Sequence, residues 1–144
     1  MSIMQADRAI AGRITYVLHK NEEGRVDLVA LLDGAAVGWV EGLRTGARML
    51  LGDIRVRDSN LSEGMVREFG TTLRRRGIGT GLLRRFLEEA DAAGVAQVWG
   101  SVTAVDLGRN PELLGWYTRR GFEVTAPDGK CDPDASHMII RNRP

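Results

Sequence analysis

The stretch RRRGIGTGLL, Arg74 to Leu83, constrains this chain more than any other. Three adjacent cations precede two glycines one residue apart, and apolar residues at helical spacing follow at once. A helix starting at the glycines presents unpaired backbone N–H groups and a partial positive charge at its first turn. Gly77 and Gly79 carry no Cβ, so an anion can approach those amides closely. Arginines beside them add charge-assisted hydrogen bonds, each worth roughly 1.5–3 kcal/mol. The stretch has the form of a pyrophosphate cradle. A glycine turn with a solvated basic face has the same letters, so the rest of the chain must decide.

The cluster is a local feature, because 20 basic and 19 acidic residues leave the 144-residue chain at +1. That balance gives no general attraction to nucleic acid or to an acidic membrane, and Glu88 and Glu89 interleave with Arg84 and Arg85. A small basic interaction module is therefore disfavoured. With 43% hydrophobic residues the chain can bury a core, and its length predicts one domain over residues 1–144. Cys131 is the only cysteine, so no intramolecular disulfide forms. The opening MSIMQADRAIAGR lacks the apolar core of a signal peptide, and no segment is apolar enough to span a bilayer. A cytoplasmic protein is expected. His19 and His137 are too sparse for a metal site, and Trp39, Trp99 and Trp116 read as core.

Along the chain, Arg13–His19 and Arg25–Leu32 read as strands. Asp33-Gly34 marks a hairpin turn, with VGWVEGL as the returning strand. Met49–Val56 reads as a further strand, with Leu50, Gly52, Ile54 and Val56 on one face. Arg57–Leu73 is polar and irregular, long for a loop. Leu82, Leu83, Phe86, Leu87 and Ala90 then form a helical stripe, closed by Gly94. Val95–Thr103 reads as a buried strand. Asn110-Pro111 reads as a helix start, with Asn110 as N-cap and Leu113, Leu114 and Tyr117 on the helix, which Gly121 ends. FEVTA and HMIIR supply two last strands. The order predicts an α/β layer fold.

Two familiar phosphate sites are excluded. No Lys-Ser or Lys-Thr follows at P-loop spacing, and no strand precedes the glycines as a dinucleotide fold requires. The chain instead resembles the GNAT N-acetyltransferases, which use acetyl-CoA. Their signature is Arg or Gln, two residues, Gly, one residue, then Gly or Ala opening a helix; Arg74-Arg75-Arg76-Gly77-Ile78-Gly79 matches it. Downstream, NPELLGWYTRRGFEV keeps the family spacing of Asn110, Tyr117 and Gly121-Phe122. The resemblance covers Met49 to Val124 and reaches the two ends only by strand pattern.

The resemblance implies a mixed, mostly antiparallel central sheet with helices on both faces. Two central strands splay apart to admit the pantetheine arm, Met49–Val56 being one and Val95–Thr103 the other. It implies that backbone near Ile54 to Val56 pairs with pantetheine, and that Arg74, Arg75, Arg76, Gly77, Ile78, Gly79 and Thr80 cradle the pyrophosphate. Asn110 would bond the pantetheine arm and Tyr117 would sit by the thioester sulfur. The chain departs from the family in a longer segment, about Asp58 to Thr72, which is expected to cover the acceptor site.

The implied activity is transfer of an acetyl group from acetyl-CoA to a primary amine, on a small molecule or a protein, by direct attack. No metal, nucleic acid or membrane enters this reading, and a homodimer is left open. Full proton transfer from a tyrosine near pKa 10 to a thiolate near 8.5 is uphill by roughly 2 kcal/mol. A hydrogen bond from Tyr117 that strengthens as charge develops on sulfur fits at least as well. For the general base, Asp53, Glu41 and Glu68 all qualify; Asp53 is preferred because family bases often lie on its strand. The rival reading is a non-catalytic acyl-CoA sensor, which keeps the cradle and needs neither acid nor base.

Overall fold

The computed structural model describes residues 12–57, 63, 67, 77–127 and 134–144. Arg74, Arg75, Arg76, Glu68, Cys131 and most of the Asp58–Thr72 segment lie outside the described residues. Within that segment Glu63 and Arg67 are described, and both have helical backbone rather than the irregular conformation expected from their polarity.

Four antiparallel-reading strands come first: β1 (Ile14–Lys20), β2 (Arg25–Leu32), β3 (Ala35–Thr45) and β4 (Arg48–Val56). Helix α1 (Ile78–Ala92) leads to β5 (Gln97–Thr103), two short helices α2 (Ala104–Arg109) and α3 (Leu113–Thr118), and strands β6 (Glu123–Thr125) and β7 (Ala135–Asn142). The strands form one seven-stranded sheet in the order β1-β2-β3-β4-β5-β7-β6. β1 pairs with β2 antiparallel from Ile14↔Leu32 to Lys20↔Val26, and β7 pairs antiparallel with both β5 and β6. Only β4 and β5 are parallel among these ladders, and theirs is three pairs long, Arg48↔Gln97 to Leu50↔Trp99. Both strands continue past Leu50 and Trp99.

The local sequence explains most of these boundaries. Asp33 (φ 51°) and Gly34 (φ 85°) make the tight β2–β3 turn that Asp-Gly predicts. Asn21 closes the β1–β2 turn by accepting from the Glu23 and Arg25 N–H groups through its Oδ1. α1 ends as its glycine predicts: Gly94 N–H donates to Asp91 C=O at 3.1 Å and Val95 N–H to Ala90 C=O at 3.0 Å.

By packing the chain divides into two compact units, Met1–Gly42 with Asp53–Glu89, and Leu43–Gly52 with Ala90–Pro144. The first unit buries Val26, Leu28, Ala30 and Leu32 of β2, Val40 of β3, and Ile78, Leu82, Leu83, Phe86 and Leu87 of α1. The second buries Met49 and Leu51 of β4, Val98 and Val102 of β5, Met138 and Ile139 of β7, and Tyr117 and Phe122. β4 crosses the boundary, and the burial of its odd-numbered face changes there. Leu50, Gly52, Ile54 and Val56 are all half-buried along the face expected from the sequence, while the other face goes from buried at Met49 and Leu51 to exposed at Asp53 and Arg55.

A second correction concerns Asn110. α2 was absent from the sequence reading, although Thr103-Ala104-Val105-Asp106 carries its start signal. Thr103 Oγ1 accepts from Asp106 N–H at 3.1 Å and Asp106 Oδ2 accepts from Thr103 N–H at 2.9 Å, a complete capping box. Asn110 therefore closes α2 as its C-cap, and α3 begins later, after Glu112.

Candidate cofactor and active site

In the first unit, the candidate cradle is the N-terminal turn of α1. Gly81 N–H donates to Gly77 C=O at 2.9 Å, so the N–H groups of Gly77, Ile78, Gly79 and Thr80 precede that bond along the helix. The two signature glycines play different parts. Gly77 has φ +84°, which an L side chain adopts only under strain. It is exposed, and among the described residues nothing lies within 4 Å of where its Cβ would be. A Cβ on Gly79 would instead lie 3.8 Å from Val56 Cγ2 and 3.9 Å from Ile54 Cγ2, which is ordinary contact. The turn thus rests against the strand residues assigned to the pantetheine arm.

Two further contacts seat this turn. A Cβ on Gly38 of β3 would be 3.0 Å from Leu82 Cδ1 and 3.1 Å from Ile78 Cγ2, so the absence of one brings α1 close to the sheet. A Cβ on Gly81 would overlap the Tyr16 hydroxyl of β1 and lie 3.3 Å from its Cζ. Tyr16 is half-buried; desolvation lifts its hydroxyl above the usual tyrosine value, opposed by the charges of Arg84 and Arg85. The hydroxyl therefore stays protonated. The sequence showed Tyr16 only as a strand residue, and Gly81 only as part of the helix.

The candidate bases sit on the other side of these strands. Ile54 and Val56 meet α1, so the alternation of β4 turns Asp53 and Arg55 to the opposite face. Gly38 likewise meets α1, which places Glu41 on that same opposite face. Both carboxylates are exposed and ion-paired, Asp53 with Arg55 at 3.4 Å and Glu41 with Arg25 at 3.2 Å. Arg25 also bonds Asp27 at 3.0 Å.

In the second unit, α2 and α3 carry Asn110 and Tyr117. Asn110 Oδ1 accepts from Glu112 N–H at 3.2 Å, which fixes the side chain and leaves its NH2 group to donate to a ligand. Tyr117 is 7% exposed, edge-on to Trp116 (4.9 Å between centroids) and to Phe122 (5.3 Å). Gly121 explains part of that arrangement. Gly121 N–H donates to Thr118 C=O and Phe122 N–H to Tyr117 C=O, both at 3.2 Å, and this helix ending folds Phe122 back onto Tyr117. The spacing from Tyr117 to Gly121-Phe122 is thus a packing device that holds the tyrosine ring. Among the described residues no group of three His, Cys, Asp or Glu side chains could hold a metal ion. None of the helices described is long and apolar enough to cross a membrane.

No protein-family model matches the sequence, and no curated protein sequence does. Solved structures do match. The PaiA N-acetyltransferase of Thermoplasma acidophilum, in complex with coenzyme A, aligns with a TM-score of 0.62 at 16% identity over 83% of this chain. The chain spans 62% of that protein's length. An IAA acetyltransferase of Bacillus cereus gives 0.61 at 15% identity, covering 90% of this chain and 99% of that one. A GNAT-family acetyltransferase of Staphylococcus aureus gives 0.58 at 15%, covering 83% and 68%. At these identities the likeness is one of fold: the chain has the mixed α/β fold of the GNAT acetyltransferases.

Proposed function

We propose that this protein is an N-acetyltransferase that moves an acetyl group from acetyl-CoA to a primary amine by direct attack. The observation that carries the proposal is the first turn of α1. Its leading amides come before the first described intrahelical bond, Gly77 is exposed with no described atom where its Cβ would stand, and Ile54 and Val56 lie beside Gly79. The fold it shares with a coenzyme A complex supports the same reading.

The amides of Gly77, Ile78, Gly79 and Thr80, with Arg74, Arg75 and Arg76, would hold the pyrophosphate. Backbone at Ile54 and Val56 and the Asn110 NH2 would hold the pantetheine arm. Acetyl-CoA, when bound, supplies an activated thioester. The Tyr117 hydroxyl would donate a hydrogen bond to the departing sulfur, and its ring is already held by Trp116 and Phe122. Asp53, and Glu41 on the same face, would accept the proton of the attacking amine, directly or through water. The amine then approaches from the face opposite α1. Transfer breaks the C–S bond, forms the C–N amide bond and releases CoA as the thiolate, which takes a proton from water while the carboxylate returns the amine's proton to solvent. Small-molecule amines and protein amines both satisfy this chemistry.

The exposure and ion pairing of Asp53 favour the second reading, an acyl-CoA sensor that binds without turnover. A panel of amine acceptors, scored by release of free CoA thiol, separates the two. Acetyl-CoA binding with no acetylated amine would overturn the transferase reading in favour of the sensor; absence of binding would overturn both.

A further inference from the structure

Gly81 is the third glycine of the GIGTG run, and phosphate binding gives it no task. It makes the first intrahelical bond of α1, so its position sets where the helix begins. It is buried, and the volume its Cβ would take is filled by the Tyr16 hydroxyl. Tyr16 belongs to β1, an edge strand, which among the described residues pairs only with β2.

β1 touches α1 at a second point. Lys20 Nζ donates to Glu89 Oε1 at 2.8 Å. The two contacts match in length. Tyr16 to Lys20 spans about 13 Å at roughly 3.3 Å per strand residue. Gly81 to Glu89 spans about 12 Å at 1.5 Å per helical residue. The strand therefore runs alongside the helix, with the Tyr16 end at the cradle and the Lys20 end toward the helix C-terminus. The Lys20–Glu89 pair is partly exposed, so it contributes little, and the Tyr16–Gly81 contact is the closer-fitting of the two.

We propose that Tyr16 is a positioning residue for the phosphate cradle: its hydroxyl, seated in the notch left by Gly81, sets the depth and register at which α1 starts. The aim of the Gly77–Thr80 amides follows from that register. This rests on the acetyl-CoA reading above for its ligand, though not for its geometry. With Gly38 against Ile78 and Leu82, and Gly79 against Ile54 and Val56, β1 completes a seat that grips the turn from three strands.

The test uses wild type, Gly81→Ala, Tyr16→Phe and the double variant, with acetyl-CoA and acetyl-pantetheine as calorimetric probes. Acetyl-pantetheine lacks the pyrophosphate. Gly81→Ala should weaken acetyl-CoA about tenfold, as expected for displaced binding groups, while acetyl-pantetheine changes by less than about twofold. Adding Tyr16→Phe removes the overlapping oxygen, leaves the alanine Cβ against Cζ, and should restore acetyl-CoA to within about threefold of wild type. The amide signals of Gly77 and Gly79 should shift in Gly81→Ala and return in the double variant. If Gly81→Ala fails to fold, Tyr16→Leu empties the notch from the other side and should show the same pyrophosphate-selective loss. Unshifted amides with unchanged affinity would overturn the proposal, as would a loss that Tyr16→Phe does not relieve or one equal for both probes. Amide shifts that behave as expected in a protein that binds no acetyl-CoA would support the positioning role and overturn the acetyl-CoA reading instead.

Discussion

Asp91 and Arg141 make the best-formed ion pair described in the second unit, and its contribution to stability can be worked out in advance. Arg141 Nη1 and Nη2 donate to Asp91 Oδ1 and Oδ2, each at 3.0 Å, and tie the last turn of α1 to β7. The side chains are 12% exposed for Arg141 and 35% for Asp91. A charge-assisted bond in an enclosed site contributes roughly 1.5–3 kcal/mol, and an exposed pair less than about 1. Water at the carboxylate places this bidentate pair between, so a coupling of about 1–2 kcal/mol is expected. Asp91→Ala should cost about 2 kcal/mol, because it strands a largely enclosed guanidinium. Arg141→Met should cost about 1 kcal/mol or less, because methionine keeps the stem's packing and water reaches Asp91.

The pair also predicts a pH dependence. Hydrogen bonds from Arg141, then the charges of Arg141 and Arg143, hold the Asp91 carboxyl below the usual carboxylate value, with burial opposing them. A lowered folded-state value means the stabilisation is complete above the unfolded value, about 3.9, and is lost as pH falls through the folded one. Urea melts of the double-mutant cycle, read by tryptophan fluorescence and far-UV circular dichroism, should give constant coupling from pH 7 to 5 and a smaller one at pH 3. A coupling below about 0.3 kcal/mol at pH 7, or one undiminished at pH 3, would refute the reasoning.

Other outcomes follow from the cradle and the tyrosine. Gly77→Asp should abolish most acetyl-CoA binding, since its carboxylate would stand at the proposed pyrophosphate position; calorimetry on the folded variant checks it. Gly77→Ala should also destabilise by about 1–2 kcal/mol through its positive φ, measured by denaturant melts. Gly79→Ala is the contrast: its Cβ makes ordinary contact with Ile54 and Val56, so the helix should gain up to about 1 kcal/mol while acetyl-CoA affinity stays within about threefold. Tyr117→Phe keeps the ring packing against Trp116 and Phe122, and should lower the single-turnover rate by about 10²–10³ with cofactor affinity little changed. An undiminished rate on an acceptor that wild type acetylates would remove Tyr117 from the mechanism.

Much of this architecture follows from neighbours in sequence. Asp33-Gly34 needs two positive φ values that only a tight turn uses, and Gly94 and Gly121 close helices through bonds made within a few residues. The apolar stripe of α1 is buried as its spacing predicts, because one helix face must pack on something. The start of α1 was legible for the same reason: the leading amides of a helix are a property of the helix itself. Asn110 carries two local signals: it ends the helix that the Thr103–Asp106 capping box began, and its Oδ1 and C=O accept from the Glu112 and Leu113 N–H groups in the turn that leads into α3.

What depended on distant parts of the chain could not be read in advance. The odd-numbered face of β4 is buried at Met49 and Leu51 and exposed at Asp53 and Arg55, and a period of two along one strand cannot encode that change. The different tasks of Gly77, Gly79 and Gly81 are invisible in GIGTG, since each depends on what stands opposite: no described atom, β4 or Tyr16. The shared face of Glu41 and Asp53 depends on which side of the sheet α1 covers. Periodicity and capping chemistry settle where elements begin and end, because their energies are local. Which face meets which, and how near a backbone can come, is decided only when strands distant in sequence pack on one helix.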